Sequence, residues 1–165
     1  MRKVFPMKIH IIGGPGSGKT HLAKRLALEY AITHYDLDDL QWDNAARDYG
    51  TKRDPAQRDA LLQEILRHND WIIEGVYYAW CSDCFAQADR IYVLDVPRRI
   101  YRARILRRFL LRKLGLEQGK RETLRSLSEL LKWADQYQKK ALPEIRRLLE
   151  PYHDKLAASV PEEKP

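Results

Sequence analysis

Residues Gly13 to Thr20 read GGPGSGKT, and no other stretch of the chain constrains its fold as strongly. They match the pattern G-x-x-x-x-G-K-[ST]. In such a loop, backbone N–H groups wrap a polyphosphate, and glycine supplies the dihedral angles and the close approach that this requires. The pattern predicts that the ammonium of Lys19 reaches the β- and γ-phosphates and that the hydroxyl of Thr20 ligates Mg²⁺. The residues predicted to cradle the phosphates are Gly13, Gly14, Pro15, Gly16, Ser17, Gly18, Lys19 and Thr20.

The sequence on both sides of this loop supports the motif. Residues 8–12 form a short apolar run, which is typical of a buried parallel strand. Beyond the loop, Leu22 and Leu26 recur at helical spacing, and we expect a helix to about Tyr30 whose N-terminal dipole faces the anion. A glycine-rich turn that carries GKT by chance is the alternative, and it does not explain both flanking elements.

Further along the chain, strands and helices alternate, which favours a parallel sheet covered by helices on both faces. The predicted strands are 32–36, 71–74 and 90–95. The predicted helices are 55–68 with Asp54 as N-cap, 97–114, 123–141 and 143–157, the last two divided at Pro143.

Length and composition indicate one domain over residues 1–160, followed by a disordered tail at 161–165. No apolar run approaches the ~20 residues that span a bilayer, and the first residues lack the apolar core of a signal peptide, so we expect a cytoplasmic protein without membrane contact. Cys81 and Cys84 form a single Cys-x-x-Cys; a zinc site needs two further ligands. A reduced pair in a loop is favoured over a redox dithiol.

The positive charge of the chain is concentrated in one segment. Residues 98–125 carry eleven Lys and Arg against two acids, which is more than the whole chain's excess of +7. Such a block suits phosphate-rich ligands or nucleic acid, and a solvated helix face is the alternative. Within it, Arg104 and Arg108 are four residues apart and share a face of their helix. Guanidinium groups there can stack on a base and bind phosphates, or form structural salt bridges.

Acidic residues stand at the carboxyl ends of the later strands, the edge where open α/β sheets bind ligands. Asp36 and Asp38 can serve a Mg²⁺ ion and an acceptor hydroxyl, unless Asp38 or Asp39 caps the next helix. We prefer Glu74 to Asp95 as the acid that holds a water on the metal, because Gly75 would let a substrate approach the backbone.

The remaining candidates near these acids receive structural interpretations. We expect Asp95 to cap the helix that follows Pro97. The aromatic residues at 77–80 could line an acceptor pocket, but a core position is favoured for them.

With these residues in place, the chain resembles the P-loop kinases of the nucleoside-monophosphate-kinase superfamily. Within it, the chain is most similar to the adenylate-kinase-like proteins called DNA topology modulation proteins. The resemblance covers about residues 8–150 and rests on the phosphate loop and, in order, the motifs at 36–42, 71–75, 88–97 and 104–108. It implies three α/β/α layers, a parallel sheet of four to five strands in the order 2-3-1-4 with a possible fifth, an acceptor-binding region at about 37–70 and a helical lid at about 109–122. The sequence itself has no clear fifth strand at its C-terminal end.

The resemblance also implies roles for single residues. Arg104 corresponds to the arginine that covers the adenine, and Arg108 to one that contacts the phosphates. Asp36 and Asp38 resemble the D-x-D of shikimate kinases, in which the first acid serves Mg²⁺ and the second meets the acceptor hydroxyl. Arg58 resembles the arginine that binds the acceptor's anionic group there. The arginine that adenylate kinases carry soon after the second strand is missing, which argues against AMP as acceptor.

The leading hypothesis is therefore an ATP- and Mg²⁺-dependent kinase, monomeric or homodimeric, that phosphorylates a nucleotide or a small hydroxylated metabolite. Lys19, Asp38 and Arg108 would be catalytic, Thr20, Asp36 and Glu74 would serve the metal, and Gly75 would contact the acceptor beside Arg58. The alternative is a nucleic-acid-associated or regulatory NTP-binding protein, for which the basic segment is the motive.

Overall fold

The strands of the sheet coincide with the apolar runs of the sequence. The computed structural model of the chain describes residues 6–43, 51–116 and 123–157. The strands are β1 Lys8–Gly13, β2 His34–Asp36, β3 Trp71–Gly75 and β4 Arg90–Leu94. Ile9 and Ile11 in β1 are fully buried, as are Ile72 and Ile73 in β3. Neighbouring residues of a strand point to opposite faces, so burial of Ile72 and Ile73 means that both faces of β3 are covered.

The strand order is β2-β3-β1-β4, and both β1 and β2 pair with β3 in parallel. The predicted parallel α/β sheet in the order 2-3-1-4 is thus confirmed. In the described part of the chain a fifth position in the sheet is marked only by a single bridge between Ile91 and Leu156, with the amide of Ala157 donating to the carbonyl of Ile91 at 2.9 Å.

The described residues form seven α-helices. They are α1 Lys19–Tyr30, α2 Leu37–Gln41, α3 Pro55–Leu66, α4 Ser82–Gln87, α5 Arg98–Lys113, α6 Leu124–Gln136 and α7 Leu142–Leu148. A π-helical turn, Tyr137–Ala141, joins α6 to α7, and a 3₁₀ helix covers Glu150–Lys155. In the described ranges we find no helix with both the length and the apolar character that crossing a membrane requires.

The chain divides into two compact units. The first draws its described residues from Met1–Ile12, Lys19–Val93 and Pro151–Pro165. The second consists of Gly13–Gly18 and Leu94–Glu150. Residues Gly13–Gly18 of the phosphate loop therefore belong to the second unit, and Lys19 and Thr20 belong to the first. The prediction of one domain over residues 1–160 stays a prediction.

Two local predictions of the first unit are confirmed. Helix α1 ends at Tyr30, and Ala31 then adopts a left-handed conformation with φ 55°, which turns the chain toward β2. Asp54 caps α3: its carboxylate accepts from the amides of Ala56 and Gln57 at 3.1 and 3.2 Å. A carboxylate there satisfies amides that have no partner within the helix.

The predicted break at Pro143 is wrong. The chain stays helical from α6 through the π turn into α7, because the amide of Leu142 donates to the carbonyl of Tyr137, five residues back. Because this turn is wider than an α-helical turn, it can be followed by Pro143, which has no amide hydrogen to donate. The α-helical geometry ends earlier than predicted, at Leu148, and Pro151 lies in the 3₁₀ segment.

The second unit has a small core of its own between α5 and α6. It consists of Tyr101, Ile105, Phe109, Leu127 and Ala134, with Val96, Leu130 and Leu131 packed against it. The predicted tail at 161–165 and the part of the predicted lid at 117–122 lie outside the described residues.

Candidate active site

The phosphate loop adopts a backbone that requires glycine. Gly16 and Gly18 have φ values of 72° and 98°, which side chains rarely permit. A Cβ atom on Gly16 would lie 2.6 Å from the carbonyl oxygen of Tyr101, and one on Gly13 would lie 2.9 Å from the carbonyl oxygen of Leu94. The Ser17 amide closes the turn onto the Gly14 carbonyl at 3.2 Å. These glycines give the loop the backbone that a phosphate cradle requires, and the binding of phosphate by these residues stays a prediction. The Ser17 hydroxyl is buried and has no hydrogen-bond partner among the described residues.

Arg104 fastens this loop from α5. Its Nη1 donates to the carbonyl oxygen of Ser17 at 2.9 Å and to that of Gly16 at 3.4 Å. A guanidinium that takes up the loop carbonyls leaves the loop amides for an anion. The sequence predicted a contact of Arg104 with the base, and stacking on the base stays a prediction. Arg108 lies one helical turn further along α5 and is half-buried.

In the first unit, the hydroxyl of Thr20 donates to Oε1 of Glu74 at 2.6 Å. Glu74 is only 1% exposed, and Nε2 of His34 lies 3.7 Å from the same oxygen. Burial alone would raise the pKa of Glu74, but the nearby His34 ring and the hydrogen bond from Thr20 hold that pKa below its ordinary value. Thr20 and Glu74 are the metal ligands predicted from the sequence, and His34 was not predicted. His34 lies two residues before Asp36, so both side chains are on one face of β2.

Asp36 lies opposite Glu74 in the register of β2 and β3. Its carboxylate accepts from the amide of Asp38 at 2.9 Å and thereby caps α2, so the alternative in which Asp38 or Asp39 is the cap is wrong. Burial and the nearby charge of Glu74 raise the pKa of Asp36 to about 6. Two carboxylates that repel each other in this way favour a bound cation.

These donors fit Mg²⁺ in the manner of phosphotransfer enzymes. The described residues contain no group of three or more His, Cys, Asp or Glu side chains that could hold a metal. Magnesium in such sites is bound by one or two carboxylates together with substrate phosphates and waters, so a preformed cage is not required. The hydroxyl of Thr20 and the carboxylates of Asp36 and Glu74 provide that smaller set.

Asp38 is held by an aromatic side chain. The hydroxyl of Tyr77 donates to its Oδ1 at 2.7 Å, and the Tyr77 ring lies 5.3 Å from that of Trp80. The guanidinium of Arg58 sits 4.4 Å above the Trp80 ring and also pairs with Asp59. Both aromatic rings are partly exposed, so the expectation that these residues belong to the core is wrong. They bring Arg58, Tyr77 and Asp38 together as a polar and aromatic group beside Asp36.

Gly75 permits close packing of the chain. A Cβ atom there would meet the side chain of Leu37 at 2.8 Å. Leu37 therefore fills the space beside Gly75, and a contact of Gly75 with the acceptor stays a prediction.

Asp95 does not cap α5, in contrast to the prediction. Pro97 is the N-cap of α5 and makes no side-chain capping bond, whereas the carboxylate of Asp95 accepts from Gln138 and Arg146. Asp95 therefore ties the start of the second unit to the π turn and to α7, a long-range contact without a local sequence signal.

Cys81 and Cys84 are free thiols and fully buried. Cys81 is the N-cap of α4 and Cys84 lies within it, so the pair opens a helix and does not lie in a loop. The hydrogen bond with Cys81 is the largest cause of a lowered pKa of the Cys84 thiol, and the buried ring of His10 adds to it.

Several arginines of the basic segment at 98–125 form contacts within the protein. Asp135 of α6 accepts from Arg98 at 2.6 Å, from Arg102 at 3.0 Å and from the hydroxyl of Tyr101 at 2.6 Å. Together with Arg104 on the phosphate loop, these contacts assign three arginines of α5 to the stability of the second unit.

Comparison with known proteins agrees with this geometry. A family model described as "AAA domain" matches residues 9–125. The uncharacterized protein YqaC of Bacillus subtilis (strain 168) is 30% identical over 101 residues, 61% of this chain and 55% of that protein. The matched stretch thus spans about half the length of this curated relative.

Two solved structures share the fold. The chain is 25% identical to the shikimate kinase of Bacteroides thetaiotaomicron, with a TM-score of 0.55 over 86% of this chain and 82% of that one. It is 15% identical to the shikimate kinase of Acinetobacter baumannii, solved in complex with shikimate, with a TM-score of 0.59 over 96% of this chain and 87% of that one. The predicted P-loop kinase fold is confirmed.

Proposed function

This chain belongs to the AAA domain family, and on that premise we propose that it is a kinase that transfers the γ-phosphoryl group of ATP to a hydroxyl group of a small acceptor. One observation carries the proposal: the Thr20 hydroxyl that follows the phosphate loop is bonded to Glu74, and Asp36 lies in register with Glu74. A hydroxyl and two carboxylates directly after a phosphate loop are the donors that a Mg²⁺–polyphosphate complex needs.

In this proposal, the phosphate loop binds the triphosphate through the amides of Gly13–Gly18 and the side chain of Lys19. Bound Mg²⁺ neutralises phosphate charge, and Thr20, Asp36 and Glu74 would hold it. Arg104 keeps the loop carbonyls turned away from the anion. Arg108 stabilises the charge of the migrating phosphoryl group.

Asp38 acts on the acceptor. The acceptor oxygen forms a bond to the γ-phosphorus while the bond from that phosphorus to the β,γ-bridging oxygen breaks and ADP leaves. Asp38 accepts the proton that the acceptor hydroxyl loses. The hydrogen bond from Tyr77 to Oδ1 orients the carboxylate for this role.

The acceptor is proposed to be a small molecule with an anionic group. Arg58 supplies a cation in the same group of side chains as Asp38, and the 25% identical shikimate kinase supports a small hydroxylated acceptor. The internal pairing of Arg98, Arg102 and Arg104 leaves fewer cations of α5 for nucleic acid and favours the kinase over the nucleic-acid alternative.

ADP release measured across a panel of nucleoside monophosphates, nucleosides and hydroxylated carboxylic acids tests the proposal. We expect acceptor-dependent ADP release by the native chain and by Lys24→Ala, whose side chain is exposed on α1. Lys19→Ala should lose this activity while its circular dichroism spectrum and melting temperature stay native. Equal activity of Lys19→Ala and the native chain would refute the assignment.

A further inference from the structure

Trp133 is a large aromatic side chain that the core of the second unit does not use. It is 43% exposed, whereas Leu127 and Ala134 on the same helix are buried. A tryptophan side chain buries a large area when a partner covers it, and Trp is enriched at interfaces.

Trp133 is connected to the phosphate loop through one residue. Its ring packs edge-on against Tyr137 with centroids 6.2 Å apart. Tyr137 in turn lies directly on Gly14, because a Cβ atom on Gly14 would be 2.9 Å from Cδ1 of the tyrosine ring. Tyr137 is 5% exposed and opens the π-helical turn. Such turns are frequent at functional sites, where they displace side chains from the regular helical register.

The helix geometry places Trp133 on the side of the loop. Asp135 binds Arg98 and Arg102 along one side of the pair α5 and α6. Residues two apart in an α-helix point in nearly opposite directions. Trp133 precedes Asp135 by two, and Arg104, which binds the loop carbonyls, follows Arg102 by two. Trp133 and Arg104 therefore both point away from the Asp135 ion pairs, toward the side where the loop lies.

We propose that Trp133 forms a stacking platform for the base of the bound nucleoside triphosphate. The inference rests on the proposed function, since it assumes that the loop binds the triphosphate. The platform and the loop are coupled through Tyr137, so a base that leaves the phosphate loop on this side meets the exposed indole. Stacking is tolerant of base identity because every base presents a π face.

Isothermal titration calorimetry of the full chain with Mg·ATP, Mg·GTP and Mg·tripolyphosphate tests the platform. Trp133→Ala should weaken binding of both nucleotides by roughly 5- to 100-fold, the range of one base–aromatic stack. Tripolyphosphate has no base, and its affinity should stay unchanged. Trp133→Phe should retain most of the nucleotide affinity because it keeps a ring.

Leu148→Ala is the matched control, because Leu148 is 45% exposed in the same unit and should leave all three affinities unchanged. Unchanged ATP affinity in Trp133→Ala overturns the platform. An equal loss for ATP and tripolyphosphate also overturns it, since Trp133 would then act through the loop. A native chain that binds none of the three ligands contradicts the proposed function itself.

Discussion

Two glycines with the same backbone conformation should respond differently to alanine. Gly16 and Gly115 both have φ 72°. Among the described residues, a Cβ atom on Gly115 would have no neighbour within 4 Å, whereas one on Gly16 would lie 2.6 Å from the Tyr101 carbonyl oxygen and 3.1 Å from Cγ1 of Ile105. Gly115→Ala therefore carries only the left-handed penalty, about 1 kcal/mol. Gly16→Ala adds overpacking against a helix backbone, about 1–3 kcal/mol more.

Urea unfolding followed by circular dichroism measures both values. We expect Gly115→Ala to lower the free energy of unfolding by about 1 kcal/mol and Gly16→Ala by about 2–4 kcal/mol, with unchanged denaturant slopes. Calorimetry should also detect loss of Mg·ATP binding in Gly16→Ala and native affinity in Gly115→Ala. Equal destabilisation by the two variants would refute the conclusion that α5 packs tightly on the phosphate loop.

Three further predictions concern the acidic residues. Tyr77→Phe removes the donor to Asp38 and should slow phosphoryl transfer several-fold with a free energy of unfolding within about 1 kcal/mol of native; an unchanged rate in the ADP-release assay would contradict it. The pKa of Asp36 is raised to about 6, so the stabilising contribution of its protonated form is complete below its ordinary pKa of 3.8 and is lost as the pH rises through about 6. In chelator, the native chain should therefore lose more stability than Asp36→Asn between pH 4 and 7, and parallel pH profiles would argue against a raised pKa of Asp36. Asp135→Asn should destabilise by about 1–2 kcal/mol, because Asp135 accepts four hydrogen bonds from Tyr101 and from two arginines whose side chains solvent reaches. A native urea midpoint would contradict this.

Local patterns predicted the parts of the fold that depend on nearby residues. The buried strands follow from runs such as 8–12 and 71–74, since a strand covered on both faces must be apolar throughout. The phosphate loop and the Asp54 cap depend on a few adjacent residues whose backbone demands are specific. The pairing of Thr20 with Glu74 could be predicted because Thr20 follows the carboxyl end of β1 and Glu74 lies at the carboxyl end of β3, and the two strands are parallel.

Contacts between distant elements could not be predicted in this way. The position of Asp95 before Pro97 predicts a helix cap, but its partners Gln138 and Arg146 are more than forty residues away in sequence. The π turn at Tyr137 has no clear signal in the sequence, so a helix break at Pro143 is the expectation from sequence, and it is wrong. The contact of Tyr137 with Gly14 depends on that turn, and Trp133 could not be linked to the loop from sequence alone.

The central claim is that the chain moves the γ-phosphoryl group of ATP, and tracing labelled γ-phosphate tests it most directly. With γ-labelled ATP, Mg²⁺ and the acceptor panel, we predict that the native chain and Lys24→Ala transfer the label to one class of small hydroxylated molecule, while Lys19→Ala transfers none. Binding of ATP with no label in any acceptor, or equal transfer by Lys19→Ala, would contradict the account.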